Sequence, residues 1–399
     1  MDAFTTPSNW QRVRLGDICE FGNGGAYETL IVENGDFKLI SLNSIDIDGN
    51  LKNTMKRVNF YDNSLKQDDI VMVLSDVAHG DFLGLCAVIP NNDYVLNQRM
   101  GRLRKKNDCI NILFLRLYIN ANQKYFKMQG QGSSQLNLSK KAIEDFEILL
   151  PPLDEQAAIA NILSDVDCYL YSLDALILKK ESVKKALSFE LLSQKKRLKG
   201  FNQAWQKVRL GDIAEIKRGA SPRPIENPKW FCANSNVGWV RISDISKNSR
   251  FLYKTAQKLS KKGIEKSRFV KQNSLIMSMC ATIGKPIITK IDTCIHDGFV
   301  VFENPKIDLN YLYYFLCYIE KEWLESGQQG SQVNLNVDLI KNKEVFCPKD
   351  LNEQVAIANI LSGLDSEIIS LKNKKRQFEN VKKALNHDLM STKIRVLKK

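Results

Sequence analysis

Several loops carry the side chains that are best suited to chemistry in this sequence. The richest is Lys217-Arg218-Gly219-Ala220-Ser221-Pro222-Arg223, and a second is Asn97-Gln98-Arg99. Arginine pairs with the edge of guanine, and asparagine or glutamine with the edge of adenine. Glycine and other small residues let a loop approach a surface closely. These residue types favour recognition of nucleic acid, and an ordinary solvated loop is the alternative for each of them.

The loops occur in two sets that align with each other along the chain. The correspondences are 22–27 with 217–223, 41–43 with 241–244, and 75–81 with 278–285. Because the aligned loops differ in residue type, they indicate two domains that read two different sequences. The predicted DNA-contacting residues are Asn23, Tyr27, Ser41, Asn43, Ser75, His79, Gln98, Arg99 and Gln135 in the first set, and Lys217, Arg218, Ser221, Arg223, Arg241, Ser243, Ser278, Thr282, Lys285 and Gln332 in the second.

Motifs of the common catalytic sites do not occur in the sequence. There is no phosphate-binding G-x-x-x-x-G-K-[ST] loop, no G-x-S-x-G elbow and no H-E-x-x-H pair. The chain has only three histidines, which disfavours a histidine-rich metal site. His79 and His296 could touch a ligand, but a packed or solvated histidine is the better interpretation. We therefore predict no catalytic residue and no metal site.

An internal repeat determines the domain organisation. The sequence at 155–163 recurs at 353–361, and the sequence at 10–18 recurs at 205–213. A repeat of this length indicates a duplicated structural unit. The predicted order is a first domain at 1–153, a first helix at 154–199, a second domain at 200–351 and a second helix at 352–399.

Each long helix has a narrow apolar seam. With slots spaced alternately four and three residues apart, nine of twelve positions are apolar in both copies. Lysines interrupt both seams near their centres, at Lys180 and Lys184 in one copy and Lys375 and Lys382 in the other. A seam this narrow favours a partner helix. Chain connectivity makes that pair antiparallel, and a 45-residue helix spans ~67 Å. The alternative is two amphipathic helices that pack on separate domains.

Within the domains, short apolar runs predict strands of a mixed, mostly antiparallel sheet. These runs lie at 37–42, 69–74, 238–242 and 274–278. Aromatic and aliphatic spacing predicts helices at 110–126 and 309–325. Glycine loops at 130–138 and 327–335 close the two domains, and Asp154 and Asn352 are predicted N-caps of the long helices. The expected fold class is α+β, with two mixed domains joined by two long antiparallel coiled-coil helices in an internal pseudo-two-fold repeat.

The charge of +13 is unevenly distributed. Residues 1–153 have a net charge of −1, whereas residues 200–351 have a net charge of +8. A basic chain favours a polyanionic partner such as DNA, although solubility alone would also account for it. Nine cysteines without a C-x-x-C pair indicate buried free thiols in a reducing cytoplasm. No apolar run is long enough to predict a membrane span or a signal peptide.

These motifs together resemble the specificity subunit of a type I restriction–modification system. The resemblance is carried by the W-Q-x-V-R-L-G-D-I segments at Trp10 and Trp205, the closing S-x-x-N-L loops, and the P-P-L-D-E-Q-x-x-I-A-x-I-L helix starts. It covers residues 10–398. The second domain departs from the pattern, because one proline at Pro348 and an extra residue replace the double proline.

The resemblance implies that each domain is a target recognition domain for one half of a split, asymmetric site in double-stranded DNA. The helices would separate the two domains and dock two methyltransferase subunits, and nuclease and translocase subunits would join the complex. This chain would be non-catalytic and would hold no cofactor. S-adenosylmethionine would bind to the methyltransferase, and ATP and Mg to the nuclease.

Two other functional classes remain alternatives from the residues alone. One is a protein-interaction scaffold without enzymatic activity, whose partner binding would be insensitive to salt. The other is an enzyme with an unrecognised nuclease site, which would cleave DNA with a metal in the absence of other subunits.

Overall fold

The structure is a computed structural model that describes residues 9–77, 81–326, 335–391 and 393–396. The chain forms two compact units, of which the first consists of Met1–Asp174 with Lys374–Lys399 and the second of Ala175–Asn373. Each unit therefore contains one globular body and a segment of each long helix.

The first unit contains two main sheets and two short ribbons. Its strands are β1 (Gln11–Arg14), β2 (Cys19–Asn23), β3 (Phe37–Ile40), β4 (Arg57–Val58), β5 (Ile70–Val73), β6 (Ser75–Val77), β7 (Cys86–Val88), β8 (Tyr94–Leu96), β9 (Met100–Lys105), β10 (Gln135–Asn137) and β11 (Glu147–Leu150). Its helices are α1 (Leu15–Ile18), α2 (Ile112–Ala121), α3 (Gln123–Gln129), α4 (Lys140–Glu144) and the first part of α5 (Leu153–Leu192), with 3₁₀ turns at Glu28–Leu30 and Leu42–Ser44. The sheet orders are β2-β9-β5-β7 and β4-β3-β8, and the ribbons are β1-β11 and β10-β6.

Strand β5 lies between two cores. Ile70 and Met72 pack with Phe114 of α2 in one hydrophobic cluster. Val71 and Val73 belong to the cluster on the opposite face. Successive strand residues point to opposite faces of a sheet, so the continuous apolar run of β5 is explained by burial on both sides.

The second unit repeats this plan. Its strands are β12 (Gln206–Arg209), β13 (Glu215–Arg218), β14 (Gly238–Val240), β15 (Phe251–Leu252), β16 (Gln257–Lys258), β17 (Arg268–Val270), β18 (Leu275–Ser278), β19 (Pro286–Thr289), β20 (Thr293–Ile295), β21 (Phe299–Glu303) and β22 (Glu344–Cys347). Its helices are α6 (Leu210–Ile213), α7 (Ile242–Ser246), α8 (Lys261–Glu265), α9 (Leu309–Tyr318), α10 (Glu320–Ser326), α11 (Val337–Asn342) and the first part of α12 (Leu351–Met390), with a 3₁₀ turn at Pro228–Trp230. The sheet orders are β13-β21-β18-β19-β15 and β16-β14-β20-β17, and the ribbon is β12-β22.

Four local predictions need correction, two for helices and two for N-caps. The helix predicted at 110–126 is divided at Asn122, whose side-chain amide donates to the carbonyl oxygen of Tyr118 at 2.8 Å and ends α2. The helix predicted at 309–325 is likewise divided, at Ile319. The predicted N-caps Asp154 and Asn352 lie inside the first turns of α5 and α12. Asp350 caps α12 instead, because its carboxylate accepts from the backbone N–H of Asn352 at 2.8 Å.

The long helices pair in antiparallel fashion within each unit. In the first unit, Tyr169 packs on Phe378 with ring centroids 4.5 Å apart, and Lys382 lies 2.5 Å from Asp167. Residue numbers rise along α5 as they fall along α12, which establishes the direction. The expected fold class is confirmed.

The lysines that interrupt the predicted seams form ion pairs between the helices. In the second unit, Lys180 lies 2.8 Å from Glu367 and Lys184 lies 2.5 Å from Asp365. In the first unit, Lys375 lies 2.7 Å from Asp174. The seam is therefore polar at its centre and apolar on both sides of it.

A buried carboxylate at the start of each long helix joins segments that are distant in sequence. In the second unit, Glu353 at the start of α12 accepts from the indole N–H of Trp205 at 3.2 Å and from Arg197 at 2.9 Å. In the first unit, Glu155 accepts from the indole N–H of Trp10 at 3.1 Å and from Arg395 at 2.6 Å. Glu353 and Glu155 are 1% and 2% exposed, so each carboxylate depends on these partners.

No helix among the described residues is both long and apolar enough to cross a membrane. All nine cysteines are free thiols. The expectation that they are buried is wrong for Cys109, Cys168 and Cys232, which are exposed.

We predict that replacing Glu353 with Gln destabilises the protein by about 1–3 kcal/mol, because Arg197 loses its charged partner inside the protein. The measurement is the urea-unfolding midpoint. The matched control is Glu181→Gln, which removes an ion pair between the helices in which Glu181 is 44% and Lys372 is 55% exposed. Exposed ion pairs contribute about 0–1 kcal/mol, so equal shifts for the two variants would contradict the prediction.

Candidate nucleic-acid interface

A cleft lies at the edge of the second unit where the parallel strands β14 and β20 end. Three chain segments meet there, namely the loop after β13, the turn after β14 and the turn between β20 and β21. The cleft has a volume of about 450 Å³. Its lining residues are Ser221, Arg223, Ile225, Trp239, Arg241, Ile242, Ser243, His296 and Asp297. The predicted residues Ser221, Arg223, Arg241 and Ser243 are thus brought together.

Close backbone contact holds the first of these segments in place. The N–H of Gly219 donates to the carbonyl of Phe299 at 2.8 Å, and that of Ala220 to the carbonyl of Ile295 at 3.0 Å. A Cβ on Gly219 would lie 2.0 Å from the carbonyl oxygen of His296. Only glycine fits this approach, which brings the loop at 219–223 against the turn at 296–298.

Asp297 is the main polar contact between these two segments. Its carboxylate accepts from the Ser221 hydroxyl at 3.0 Å and from Arg223 at 3.1 Å, and its carbonyl accepts from Arg218 at 2.8 Å. Burial opposes ionisation of Asp297, but the hydrogen bond from Ser221 and the charge of Arg223 hold its pKa below the ordinary value. The carboxylate is therefore charged at neutral pH.

His296 presents a defined tautomer to the cleft. Its Nδ1 accepts from the backbone N–H of Gly298 at 3.0 Å, which places the proton of the neutral ring on Nε2. Burial lowers the pKa of His296, the carboxylate of Asp297 acts in the opposite direction, and the charge of Arg241 lowers the pKa further. The ring packs 5.9 Å from Trp239. His296 is therefore a neutral hydrogen-bond donor at pH 7.

The first unit has an equivalent cleft where the parallel strands β3 and β8 end. Its volume is about 330 Å³. The lining residues are Glu28, Ser41, Leu42, Asn43, Ser44, Thr54, Met55, Lys56, Asn97, Gln98 and Arg99. Four predicted residues meet here, namely Ser41, Asn43, Gln98 and Arg99.

The framework of the first cleft follows that of the second. A Cβ on Gly24 would lie 2.1 Å from the carbonyl oxygen of Asn97, as one on Gly219 does from His296. Asn97 accepts through its side chain from the N–H of Tyr27 at 3.1 Å. Arg99 has a φ of 67°, a left-handed conformation that is uncommon outside glycine and is often retained at functional sites.

The two clefts differ in the chemistry of equivalent positions. The strand registers show that Asn97-Gln98-Arg99 in the first unit is equivalent to His296-Asp297-Gly298 in the second. By the same registers, Ser41 is equivalent to Arg241. One cleft therefore carries a neutral amide where the other carries a carboxylate, and a hydroxyl where the other carries a guanidinium.

Five other predicted residues, namely Asn23, Tyr27, Gln135, Lys217 and Arg218, are not among the residues that line the two clefts. Asn23 is exposed at the end of β2, and Tyr27 packs edge-on against Phe60 with centroids 4.7 Å apart. Lys217 is held between Glu303 at 2.6 Å and Glu215 at 3.0 Å. The Nε–H of Arg218 donates a hydrogen bond to the carbonyl oxygen of Asp297. Gln135 lies in β10 and pairs with Val77 of β6.

The predicted alignment of 75–81 with 278–285 is wrong by two residues. Val73 pairs with Met100 and Ser278 pairs with Phe299, so Ser278 corresponds to Val73. Ser278 is 0% exposed and donates to the carbonyl of Thr282. Ser75 is 5% exposed and donates to Asn137. The structure therefore gives neither serine hydroxyl a free position for a DNA contact.

Thr282 and Lys285 occupy the turn after β18, where Lys285 donates its N–H to the carbonyl of Thr282 at 3.2 Å. His79 and Gln332 lie outside the described residues. The prediction that these four residues contact DNA stays a prediction. Within the described part of the chain, no group of three or more His, Cys, Asp or Glu side chains is placed to hold a metal ion.

The predicted DNA-contacting residues did not include Asn97, His296 or Asp297, although the sequence had drawn attention to the Asn97-Gln98-Arg99 loop and to His296. A signal existed, because the turn after β20 occupies the position of the Asn97-Gln98-Arg99 turn. The residue types differ too much for the correspondence to be visible without the strand register.

Comparison with known protein families identifies the family of this chain. The family described as the type I restriction modification DNA specificity domain matches residues 7–182 and 202–380. The chain belongs to this family. Its members are the subunits that recognise DNA sequence in type I restriction–modification systems, and the two matches cover both cleft-bearing domains.

Individual relatives match nearly the whole chain. The type I restriction enzyme MjaVIII specificity subunit of Methanocaldococcus jannaschii is 26% identical over 423 residues, covering 99% of this chain and 95% of that protein. The S subunit structure from M. genitalium has a TM-score of 0.64 at 15% identity, covering 97% and 98% of the two chains. The subunit structure from Thermoanaerobacter tengcongensis has a TM-score of 0.52 at 16% identity, covering 98% of each chain. The specificity-subunit fold thus extends over both domains and both helices.

We predict that Gly219→Ala destabilises the protein by about 1–3 kcal/mol, because the added methyl group overpacks against backbone. The matched control is Gly363→Ala in α12, where nothing lies within 4 Å of the added Cβ. This control should stabilise the protein by about 0.5–1 kcal/mol through helix propensity. Urea-unfolding midpoints measure both changes, and shifts of the same sign would contradict the assignment.

We predict an acid sensitivity that depends on His296. Because its pKa in the folded protein lies below 6.5, the unfolded chain binds the proton more readily, and stability is lost as pH falls through 6.5. The urea midpoint of His296→Gln should therefore decrease less than that of the unmodified protein between pH 7.5 and 5.5. Parallel pH profiles for the two proteins would show that His296 is not protected from protonation.

Proposed function

We propose that this chain is the non-catalytic specificity subunit of a type I restriction–modification complex and that each domain reads one half of a split site in double-stranded DNA. The observation that carries this proposal is the pair of clefts with the same framework and different residue types. A single recognition surface would not need two copies. Two readers of one sequence would not need different side chains at equivalent positions.

The residue types in the clefts suit base edges. Arg241 and Arg223 in the second cleft, and Arg99 in the first, have the donors that guanine accepts, and Gln98 and Asn43 have the amides that pair with adenine. Both clefts are concave, open to solvent and lined by more than one segment of chain. That arrangement supports reading of several adjacent base pairs by each domain.

The two domains supply electrostatic attraction unequally. The second domain, with a net charge of +8, attracts DNA of any sequence more strongly than the first, with −1. The first domain relies on specific contacts and on the charge of the partner subunits.

The antiparallel helices set the number of base pairs between the two half-sites. Two methyltransferase subunits dock on the chain and supply adenine methylation with S-adenosylmethionine, and nuclease subunits that use ATP and Mg join them. This chain needs no cofactor in that scheme. Its role is to place the methyltransferases on the correct DNA sequence.

We predict that exchange of residues 10–150 for the matching domain of another family member changes one half of the methylated motif and leaves the other half unchanged. The boundaries suit the exchange because Gln11 pairs with Leu150, so both junctions lie side by side in the β1-β11 ribbon. Genome-wide adenine methylation in the source cell, mapped by single-molecule sequencing, gives both half-sites in one measurement.

The reciprocal control exchanges residues 206–347, whose ends also pair in the β12-β22 ribbon. It should change only the other half-site. An unchanged motif after either exchange would contradict the proposal, and salt-insensitive binding of a partner protein without DNA would favour a scaffold.

We predict that Arg241→Ala weakens binding of the cognate site by about 1–3 kcal/mol and has a smaller effect on DNA that lacks the second half-site. Dissociation constants at one fixed salt concentration measure both. Lys207→Ala is the matched control, because it removes a charge from β12, where Lys207 pairs with Glu344 at 2.6 Å. An equal loss of affinity for both DNAs would instead indicate that Arg241 contacts phosphate and not a base.

A further inference from the structure

A negative charge, that of Asp297, lies in the lining of the second cleft. Asp297 contacts Ser221 and Arg223 through its carboxylate and Arg218 through its carbonyl. An acidic group is an unfavourable neighbour for a phosphate backbone. Its three contacts to the loop at 217–223 nevertheless make it the residue that determines where Arg223 and Ser221 lie.

The ion pair between Asp297 and Arg223 is accessible to solvent. The two side chains are 43% and 74% exposed. Exposed ion pairs of this kind contribute little to stability. The contact therefore orients the arginine in the free protein and is weak enough to be exchanged for a contact with DNA.

The first cleft provides an internal comparison. Gln98 occupies the position of Asp297, and it brings no charge to the turn between β8 and β9. The same framework is therefore built without a carboxylate in the first domain. The acidic residue is therefore specific to the second domain, and the fold does not require it.

We propose that Asp297 is the positioning residue of the second cleft and that its carboxylate increases sequence selectivity by suppressing binding to DNA of arbitrary sequence. This inference rests on the proposed function, because it assumes that the cleft faces DNA. Asp297 holds Arg223 ready for a base edge and neutralises the charge that would otherwise bind any phosphate.

The physical basis is the difference between specific and non-specific complexes. Specificity is a difference of affinities, and a repulsive group that acts against the wrong complex increases it. A preferred orientation of Arg223 before binding also reduces the side-chain entropy that is lost in the specific complex. Both effects act in the same direction, which is to raise the ratio of specific to non-specific affinity.

The test is Asp297→Asn in the full-length chain with its co-purifying subunits. Asparagine keeps an oxygen that accepts from Ser221 but removes the charge. Non-specific DNA should bind roughly threefold more tightly, and its salt dependence should be steeper by about 0.9 in slope, as for one additional phosphate contact. The ratio of specific to non-specific affinity should fall about tenfold, a change of the size that one base contact contributes. The urea midpoint should not change.

Two further variants separate positioning from total charge. Asp292→Asn makes the same charge change before the start of β20, where Asp292 accepts from the N–H of Gln272 at 2.9 Å, and should leave selectivity unchanged. The double variant Asp297→Asn with Arg223→Gln should lose the additional non-specific affinity, because the released arginine is its source.

An Asp297→Asn protein with unaltered selectivity and salt dependence would overturn the inference while leaving the proposed function intact. Equal effects of Asp292→Asn and Asp297→Asn would overturn it as well, because total charge would then explain both. If the unmodified protein itself binds DNA without any sequence preference, the proposed function and the inference are both overturned. In the methylated motif, the expected outcome is a second half-site that becomes degenerate beside an unchanged first half-site.

Discussion

A buried carboxylate at the start of each long helix closes each unit of the molecule. Glu353 and Glu155 are almost inaccessible to solvent, and each accepts from a tryptophan that precedes the first strand and from an arginine near the end of the other helix or beyond it. A buried carboxylate without such partners is strongly unfavourable. The start of the globular body, the start of one helix and the end of the other are therefore required to meet. This fixes the antiparallel pairing at its ends, and the central lysine–carboxylate pairs fix it in the middle.

The clefts lie in the globular bodies that these contacts hold together, but the residues that line the clefts are not the ones that make these contacts. In both units two parallel strands, β3 and β8 or β14 and β20, end at the same edge of a sheet, and a glycine lets the adjoining loop approach at a distance that a Cβ would prevent. The residues that keep the framework together match between the units. The residues that face solvent in the clefts differ, as Gln98 and Asp297 or Ser41 and Arg241 show. The framework residues and the residues that line the clefts thus occupy separate positions, so the lining can differ between the domains while the framework is kept.

Features that depend on local periodicity were predictable from the sequence. The repeat, the long helices and their seam follow from apolar spacing, and even the lysines that interrupt the seam mark the positions of the ion pairs. Contacts between distant segments were not predictable. Ser221 and Asp297 are 76 residues apart, and only the sheet brings them together. The alignment of Ser75 with Ser278 failed because both lie at strand ends with different loop lengths, where sequence similarity gives no register. The turns at 41–43 and 241–243 could be aligned from the sequence because each follows a recognisable strand.

The division of the chain between the two units has a consequence for synthesis. The second unit is continuous, from Ala175 to Asn373, whereas the first is completed by residues 374–399. Those last residues supply Phe378, Lys382 and Arg395, the partners of Tyr169, Asp167 and Glu155. On the ribosome, the residues of the first domain emerge before Arg395, so Glu155 has no arginine partner until residues 374–399 have been made. The first unit is therefore completed only after the second unit has been made, and removal of residues 374–399 leaves it without these partners.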